Sequence, residues 1–348
     1  GSGGHVIPAI TIYDHLINDC EVYLSIDKRG EKYLNKKEYI STIIDLPKNN
    51  RNILSLISQS IKLFFLIIKS LSFIKKNKIN YLISTGGYMS LPLCFAGKIL
   101  KVKIYLFEPN MVLGRANNFF IRYCSKIFCY SDKIHNFPKK YINKIELIPP
   151  ILRKEFYHNR PLSLEIIKDE INLLIIGGSQ GAQFFNDILK DTIITLSKKY
   201  KLKIYHQVKD DNKNHLKNFY DKNNIEYFLF GFDENIIKII KNVNLCITRG
   251  GASTLSELNF LNIPSIVIPL PTAKDDHQFY NSLFYKKLNC CWILRQDEIK
   301  DDMLTKYLIK IINNKDDYLA KKINMKKYSY QNTWNIINKK LIRIINEN

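Results

Sequence analysis

Two short stretches of this chain, LISTGG at 82–87 and LCITRGG at 245–251, repeat one plan: an apolar run, a glycine pair, then a helix-forming segment. An apolar run this short reads as a buried strand, and paired glycines let the backbone turn sharply and expose its amides. Each copy continues through its helix, the first as far as about Leu100, into a further apolar strand, over 103–107 and 265–269. Each half also carries a second glycine loop. One, at 1–5, opens a helix over 6–18 followed by a strand over 22–26. The other, at 177–181, joins a strand over 172–176 to a helix from about Ala182. Strands alternating with helices at this spacing predict parallel sheets of right-handed βαβ units. The 348 residues suffice for two cores. The expected fold class is therefore α/β, with two doubly wound, Rossmann-like domains facing across a cleft. The proline pair at 149–150 and the polar stretch at 153–169 suggest the boundary. That gives a first domain over 1–150, a second over 151–320, and C-terminal helices over 321–348 packing back on the first.

In open α/β sheets, ligands bind beyond the carboxyl ends of the strands. Around 245–278 those ends gather a glycine pair, a helix start at Ser253 and Thr254 whose first N–H groups can face an anion, and a polar loop with Asp275, Asp276, His277 and Gln278. The combination suits a nucleotide carrying a sugar. Neither GGSQGA nor GSGGH has the spacing of a dinucleotide fingerprint. Glu257 has two readings: with Thr254 it fits a capping box, and it could equally accept the hydroxyls of a ribose. His5 is either a structural histidine at a helix start or a base able to take a proton from a sugar hydroxyl. The aspartate pair reads as a solvated loop. No Asp-x-Asp ends an apolar strand, so no obligatory metal and no cofactor are expected.

The net charge of +21 is mostly lysine in a chain also rich in Ile and Asn, a trio that an AT-rich coding sequence would produce. The other sources of such charge are an anionic membrane surface, phosphate ligands or nucleic acid. No arginine-rich groove with interleaved aromatics supports nucleic acid as a partner. Seven cysteines are scattered through apolar runs with no CxxC or zinc spacing, which fits a reducing cytosol. The segment 53–74 is long enough to span a membrane. Ser55, Gln59, Lys62, Lys69 and Lys76 recur along it at helical spacing, so it reads as an amphipathic helix that covers the first sheet, meets lipid, or does both. A glycine loop opening a helix ordinarily comes after a strand, yet nothing precedes Gly1. Gly-Ser-Gly is read either as an expression scar or, since His5 and Pro8 continue a pattern, as the start of a chain lacking its first strand.

Five segments in register, GSGGHVIPA, GGYMSLP, GGSQGAQFFN, RGGASTLSE and DDHQFYN, resemble the MurG family of bacterial glycosyltransferases, glycosyltransferase family 28. The resemblance runs from Gly1 to about Leu294. It implies a two-domain GT-B fold and an inverting transfer of N-acetylglucosamine from UDP-N-acetylglucosamine to undecaprenyl-linked lipid I, giving lipid II for peptidoglycan. The first domain would take the acceptor and the second the donor, at the cytoplasmic face of the bacterial plasma (inner) membrane, with an anionic membrane surface as partner. It implies His5 as catalytic base with Glu108 second. Ser2, Gly3 and Gly4 would approach the phosphates, and Tyr88, Asn110 and Arg153 would join the binding set. For the donor it implies Ser179 and Gln180, a backbone contact at Asp233, phosphate amides and a ribose carboxylate from Ala252, Ser253, Thr254, Leu255, Ser256 and Glu257, and Gln278 on the sugar hydroxyls. Phe107 and Pro109 depart from the family's His and Gln around Glu108, and 149–151 departs from its Gly-Asn-Pro turn. Two rival readings are a UDP-N-acetylglucosamine 2-epimerase of the same architecture and a non-enzymatic basic membrane binder.

Overall fold

The computed structural model describes residues 3–34, 39, 41–45, 53–159, 164, 166–167, 170–178, 183–231 and 236–346. The chain forms two compact units, Gly1–Lys154 with Asn332–Asn348, and Glu155–Gln331.

The first unit begins with α1 (Gly3–Leu16), β1 (Leu24–Ile26), β2 (Ser41–Ile43) and α2 (Ile53–Lys76). It continues through β3 (Tyr81–Ser84), α3 (Leu91–Ile99), β4 (Lys103–Glu108), α4 (Arg115–Phe120), β5 (Lys126–Cys129) and β6 (Ile145–Leu147). Strands β3, β4, β5 and β6 form one parallel sheet in that order, and β1 and β2 form a separate parallel pair. Cys94, Ile104, Leu106, Phe120 and Ile127 make the core beside the larger sheet. Val6, Leu24, Ile26 and Leu34 make a smaller one beside the pair.

The short α5 (Lys154–Tyr157) leads into β7 (Glu170–Ile176), α6 (Gln183–Ile188), α7 (Lys190–Ser197), β8 (Lys201–Gln207), α8 (Asp210–Lys222) and β9 (Glu226–Phe230). Next come α9 (Ile236–Ile240), β10 (Leu245–Thr248), α10 (Ala252–Phe260), β11 (Ser265–Val267), α11 (His277–Lys287) and β12 (Cys291–Ile293). The chain ends with α12 (Met303–Asn313), α13 (Lys315–Ser329) and α14 (Trp334–Asn346). All six strands of the second unit are parallel, in the order β12-β11-β10-β7-β8-β9. Strands buried on both faces need continuous apolar runs, and LLII in β7 and LCIT in β10 supply them.

The C-terminal helices divide later than the expected break after 320. α13 packs against α10 and α12 and stays with the second unit. Its Lys321 is buried, donating to Asn289 Oδ1 at 2.9 Å and Asp317 Oδ1 at 3.0 Å, and Met325 joins Leu255 and Tyr285 in a core cluster. α14 belongs to the first unit, where Tyr105 Oη donates to the Ile344 carbonyl at 3.1 Å and Trp334 stacks on His15 with ring centroids 3.5 Å apart.

That stack carries a pH prediction. His15 is buried, and burial lowers its pKa to about 4 against a smaller opposing contribution from the Asn338 side chain. The folded state therefore holds it neutral, while the unfolded chain binds a proton near the ordinary ~6.5. Its contribution is complete above that value and is lost as pH falls towards about 4, on the order of 3 kcal/mol across the window. His15→Phe, which keeps an aromatic ring without a titration, should show a stability difference from the parent that changes with pH between 6.5 and 4. A difference independent of pH in denaturant titrations would remove this assignment.

α2 corrects the expected arrangement of its polar stripe. The helix packs against α3 and buries Gln59, Ser70 and Ile74, with Ser70 Oγ donating to the Leu66 carbonyl at 2.7 Å. Ile57, Ile61, Phe64, Phe65 and Ile68 stand exposed, as do Lys62, Lys69 and Lys76. Spacings of three, four and seven put the five apolar side chains on one helical face. The stripe is therefore split: its Gln59 faces inward, while the outward surface is apolar with the cations Lys62, Lys69 and Lys76 beside it.

Candidate active site

In the second unit the direction of strand addition reverses between the adjacent strands β7 and β10. Such a switch point leaves a crevice at the carboxyl ends, because the two flanking loops turn away to opposite faces. Those loops are the two glycine segments. Gly177 N donates to Gln207 Oε1 at 3.1 Å, which ties the first loop to the end of β8. Gly178 has φ +74° with open space where a side chain would be, so the backbone there is bare. Ser179 and Gln180 come directly after it but lie outside the described residues, as do Ser2 and Asp233.

The second loop is held from behind. A Cβ on Gly250 would lie 2.2 Å from the Gln278 carbonyl oxygen and 2.7 Å from Ser282 Oγ. Only glycine permits that approach of α11. Gln278 Oε1 accepts from Gly250 N and Leu270 N, both at 3.1 Å, and Asn281 Nδ2 donates to the Gly250 carbonyl at 3.0 Å. Gln278 therefore locks together the loops after β10 and β11 with its amide oxygen, and its NH₂ is the end left to meet a ligand.

α10 starts one turn earlier than Thr254 would have made it. Its N-cap is Gly251, which has no side chain to cap the first turn. Amides at the first helical positions, Ala252, Ser253 and Thr254, lack intrahelical acceptors, and with the helix dipole they form an anion site. The Leu255 amide is already used, donating to the Gly251 carbonyl at 3.0 Å. The side chains of Leu255 and Ser256 both point into the core, so neither position offers a ligand more than its backbone. Ser256 Oγ bonds the Ala252 carbonyl and Tyr285 Oη, each at 2.9 Å. Glu257 sits six positions into the helix, too far along to be the partner in a capping box, and is half-buried.

In the first unit, α1 carries exposed Gly4 and half-buried His5 in its first turn, above buried Gly3. His5 Nδ1 lies 2.8 Å from the Thr85 carbonyl oxygen, and Thr85 Oγ1 donates back to the His5 carbonyl at 2.9 Å. A carbonyl only accepts, so Nδ1 carries a proton, and the tautomer with that single proton presents Nε2 as a lone pair. Gly87, at φ +78°, would place a Cβ 3.0 Å from His5 Cδ2, so this glycine makes room for the imidazole. Exposed Tyr88 is next in the chain. Glu108 is differently placed. It is buried and accepts from Asn110 N and Nδ2 at 3.2 and 2.9 Å, Gly114 N at 2.7 Å and Asn117 Nδ2 at 2.9 Å. With both oxygens doubly engaged, Glu108 anchors the loop that carries Asn110, and His5 is the better-placed base. Arg153 is half-buried just before α5. Among the described residues, no three His, Cys, Asp or Glu side chains gather as a metal-ligand set.

The loop contacts of four residues escape a reading of the sequence: Thr85 and Gln207, and, inside the segments RGGASTLSE and DDHQFYN, Arg249 and Asn281. An arginine between an apolar strand and a glycine pair is the one legible signal among them.

Two parallel α/β units with glycine loops at the strand ends, one built around a nucleotide-type switch point, define the GT-B class of glycosyltransferase. The chain matches the Glycosyltransferase family 28 N-terminal domain over residues 1–129 and the Glycosyltransferase family 28 C-terminal domain over 172–334. This chain belongs to glycosyltransferase family 28. It is 54% identical over 348 residues, 100% of this chain and 97% of the relative, to the UDP-N-acetylglucosamine--N-acetylmuramyl-(pentapeptide) pyrophosphoryl-undecaprenol N-acetylglucosamine transferase of Pelagibacter ubique. The enzyme of the same name from Rickettsia felis is 33% identical over 90% of this chain and 89% of its own. Among solved structures, Acinetobacter baumannii MurG superposes with a TM-score of 0.72 at 21% identity, covering 97% of each chain. UDP-GlcNAc 2-epimerase from Neisseria meningitidis superposes at 0.65 and 12% identity, covering 99% of this chain and 98% of its own. These likenesses establish the shared fold.

Proposed function

We infer that this chain is an inverting N-acetylglucosaminyltransferase. It moves the sugar from UDP-N-acetylglucosamine to the 4-hydroxyl of the N-acetylmuramoyl sugar of lipid I, giving lipid II for peptidoglycan. The observation that carries this reading is the full-length identity of 54% to a transferase whose name states both donor sugar and undecaprenol-linked acceptor.

The donor belongs to the second unit. The first-turn amides of α10 and the bare backbone at Gly178 take the diphosphate, the Glu257 carboxylate accepts from the ribose hydroxyls, and the Gln278 NH₂ meets the sugar. The acceptor belongs to the first unit, with His5 as base. The acceptor oxygen attacks the anomeric carbon from the face opposite UDP, and the bond from that carbon to the diphosphate breaks. The hydroxyl proton passes to His5 Nε2, and UDP leaves with the extra negative charge. Fixed amides aimed at that charge favour the transition state over the ground state. Labelled UDP-N-acetylglucosamine incubated with a lipid I analogue, with and without chelator, tests the reading. Transfer in both is expected. Conversion of the donor with no acceptor present would favour the epimerase instead.

The exposed face of α2 supports a membrane setting for the same reaction, at the inner face of the bacterial plasma membrane. Ile57, Ile61, Phe64, Phe65 and Ile68 would enter the acyl boundary, with Lys62 and Lys69 among the anionic headgroups. Each buried large apolar side chain contributes roughly 1.5–3 kcal/mol. The double substitution Phe64→Asp with Phe65→Asp should therefore weaken cosedimentation with anionic vesicles at least ~10-fold. Transfer to a soluble acceptor should be unchanged. Undiminished vesicle binding would exclude this face.

A further inference from the structure

Arg249 lies between β10 and the glycine pair, and it is buried. Its Nη1 donates to the Ile268 carbonyl at 3.0 Å and the Pro269 carbonyl at 3.3 Å, at the end of β11. The guanidinium also lies 4.8 Å from the ring centre of Phe185 and 5.1 Å from that of Phe184, at the start of α6. One side chain thus touches the segments that leave β7 and β11 while standing at the head of the loop after β10. Burial lowers its pKa to about 10, which leaves it a cation at neutral pH. Among the described residues no carboxylate pairs with it. A buried cation facing two carbonyl dipoles and two aromatic faces is only partly compensated, and an uncompensated buried charge is expensive to keep.

We propose that Arg249 is a positioning residue whose missing counter-charge is the diphosphate of the bound nucleotide. It holds the loops after β7, β10 and β11 in register through its carbonyl and aromatic contacts, and its fixed charge raises affinity for the anion those loops receive. The proposal rests on the reading of the second unit as a donor site, and adds that the preference for a nucleoside diphosphate over the bare nucleoside is set from beneath the loops. The amides of the first turn of α10 are one source of that preference, and Arg249 is a second.

The test is calorimetric titration of the full chain with UDP and with uridine. Arg249→Met removes the charge and keeps an apolar stem between the phenylalanines. Arg249→Gln removes it and keeps a donor for the Ile268 carbonyl. In whichever of these retains the parent circular dichroism spectrum, the ratio of UDP to uridine affinity should fall ~10-fold or more, with uridine binding changed by less than ~3-fold. Arg249→Lys, which keeps a cation, should hold the ratio within ~3-fold of the parent. A parallel loss of both ligands in the neutral variants would mark Arg249 as a packing residue and overturn the proposal, as would an unchanged ratio. If the unsubstituted chain fails to bind UDP, the donor-site reading falls, and this inference with it.

Discussion

Replacing His5 by asparagine is expected to lower kcat for sugar transfer by about 10²–10⁴ with little change in donor KM, the range for removing a general base. Asparagine suits this test better than alanine because its amide NH₂ can still donate to the Thr85 carbonyl, where His5 Nδ1 now lies at 2.8 Å. The loop after β3 then keeps its tie to α1, and the basic Nε2 is the group that disappears. His5→Ala removes both and should be at least as slow. If His5→Asn turned over at nearly the parental rate, the base would have to be sought elsewhere. Glu108 would be a poor second choice, because a proton on its carboxylate would cost it one of four accepted hydrogen bonds and loosen the loop bearing Asn110.

The second large effect concerns Gly250. An added methyl would sit 2.2 Å from the backbone oxygen of Gln278, and no flexible side chain can yield there. Either the loop or the first turn of α11 must move, breaking the bonds from Gly250 N and Leu270 N to Gln278 Oε1. Overpacking of this kind costs about 1–3 kcal/mol, and a rigid backbone contact belongs at the upper end. For a domain of this size that is a melting point lower by roughly 2–4 °C per kcal/mol. UDP affinity should fall with it, since the same loop launches α10. Gly251→Ala is the control: its nearest neighbour would be Thr254 Oγ1 at 3.8 Å, ordinary contact, at a backbone φ of −71° open to any residue. Equal melting points for the two variants would contradict the packing around Gly250.

The residues bearing these predictions differ in how far the chain alone reveals them. His5, the glycine pairs and the start of α10 are legible because a strand, a glycine turn and a helix start are set by neighbours a few positions away. The apolar runs 81–84 and 245–248 form strands for that reason. The two-unit α/β class comes from the same local units repeated, since parallel strands need helical crossovers.

The residues that turn inward are not legible. Leu255 and Ser256 share a segment with Ser253 and Thr254, and only the packing of α11 and α13 decides which of them line a ligand and which fill a core. Gln278 reads as a ligand residue from its polar loop, yet its oxygen is spent on an amide 28 positions earlier. Arg249 meets Phe184 and Phe185, which belong to a distant part of the chain, and the outward apolar face of α2 depends on how that helix lies against α3. By itself the sequence determined the local elements, their parallel class and the chemical inventory of the site, because dihedral preference and hydrogen bonding act over a few residues. Tertiary structure alone decided strand order, the burial of each polar group and the partner of each charge, because those depend on contacts between segments that lie far apart along the chain.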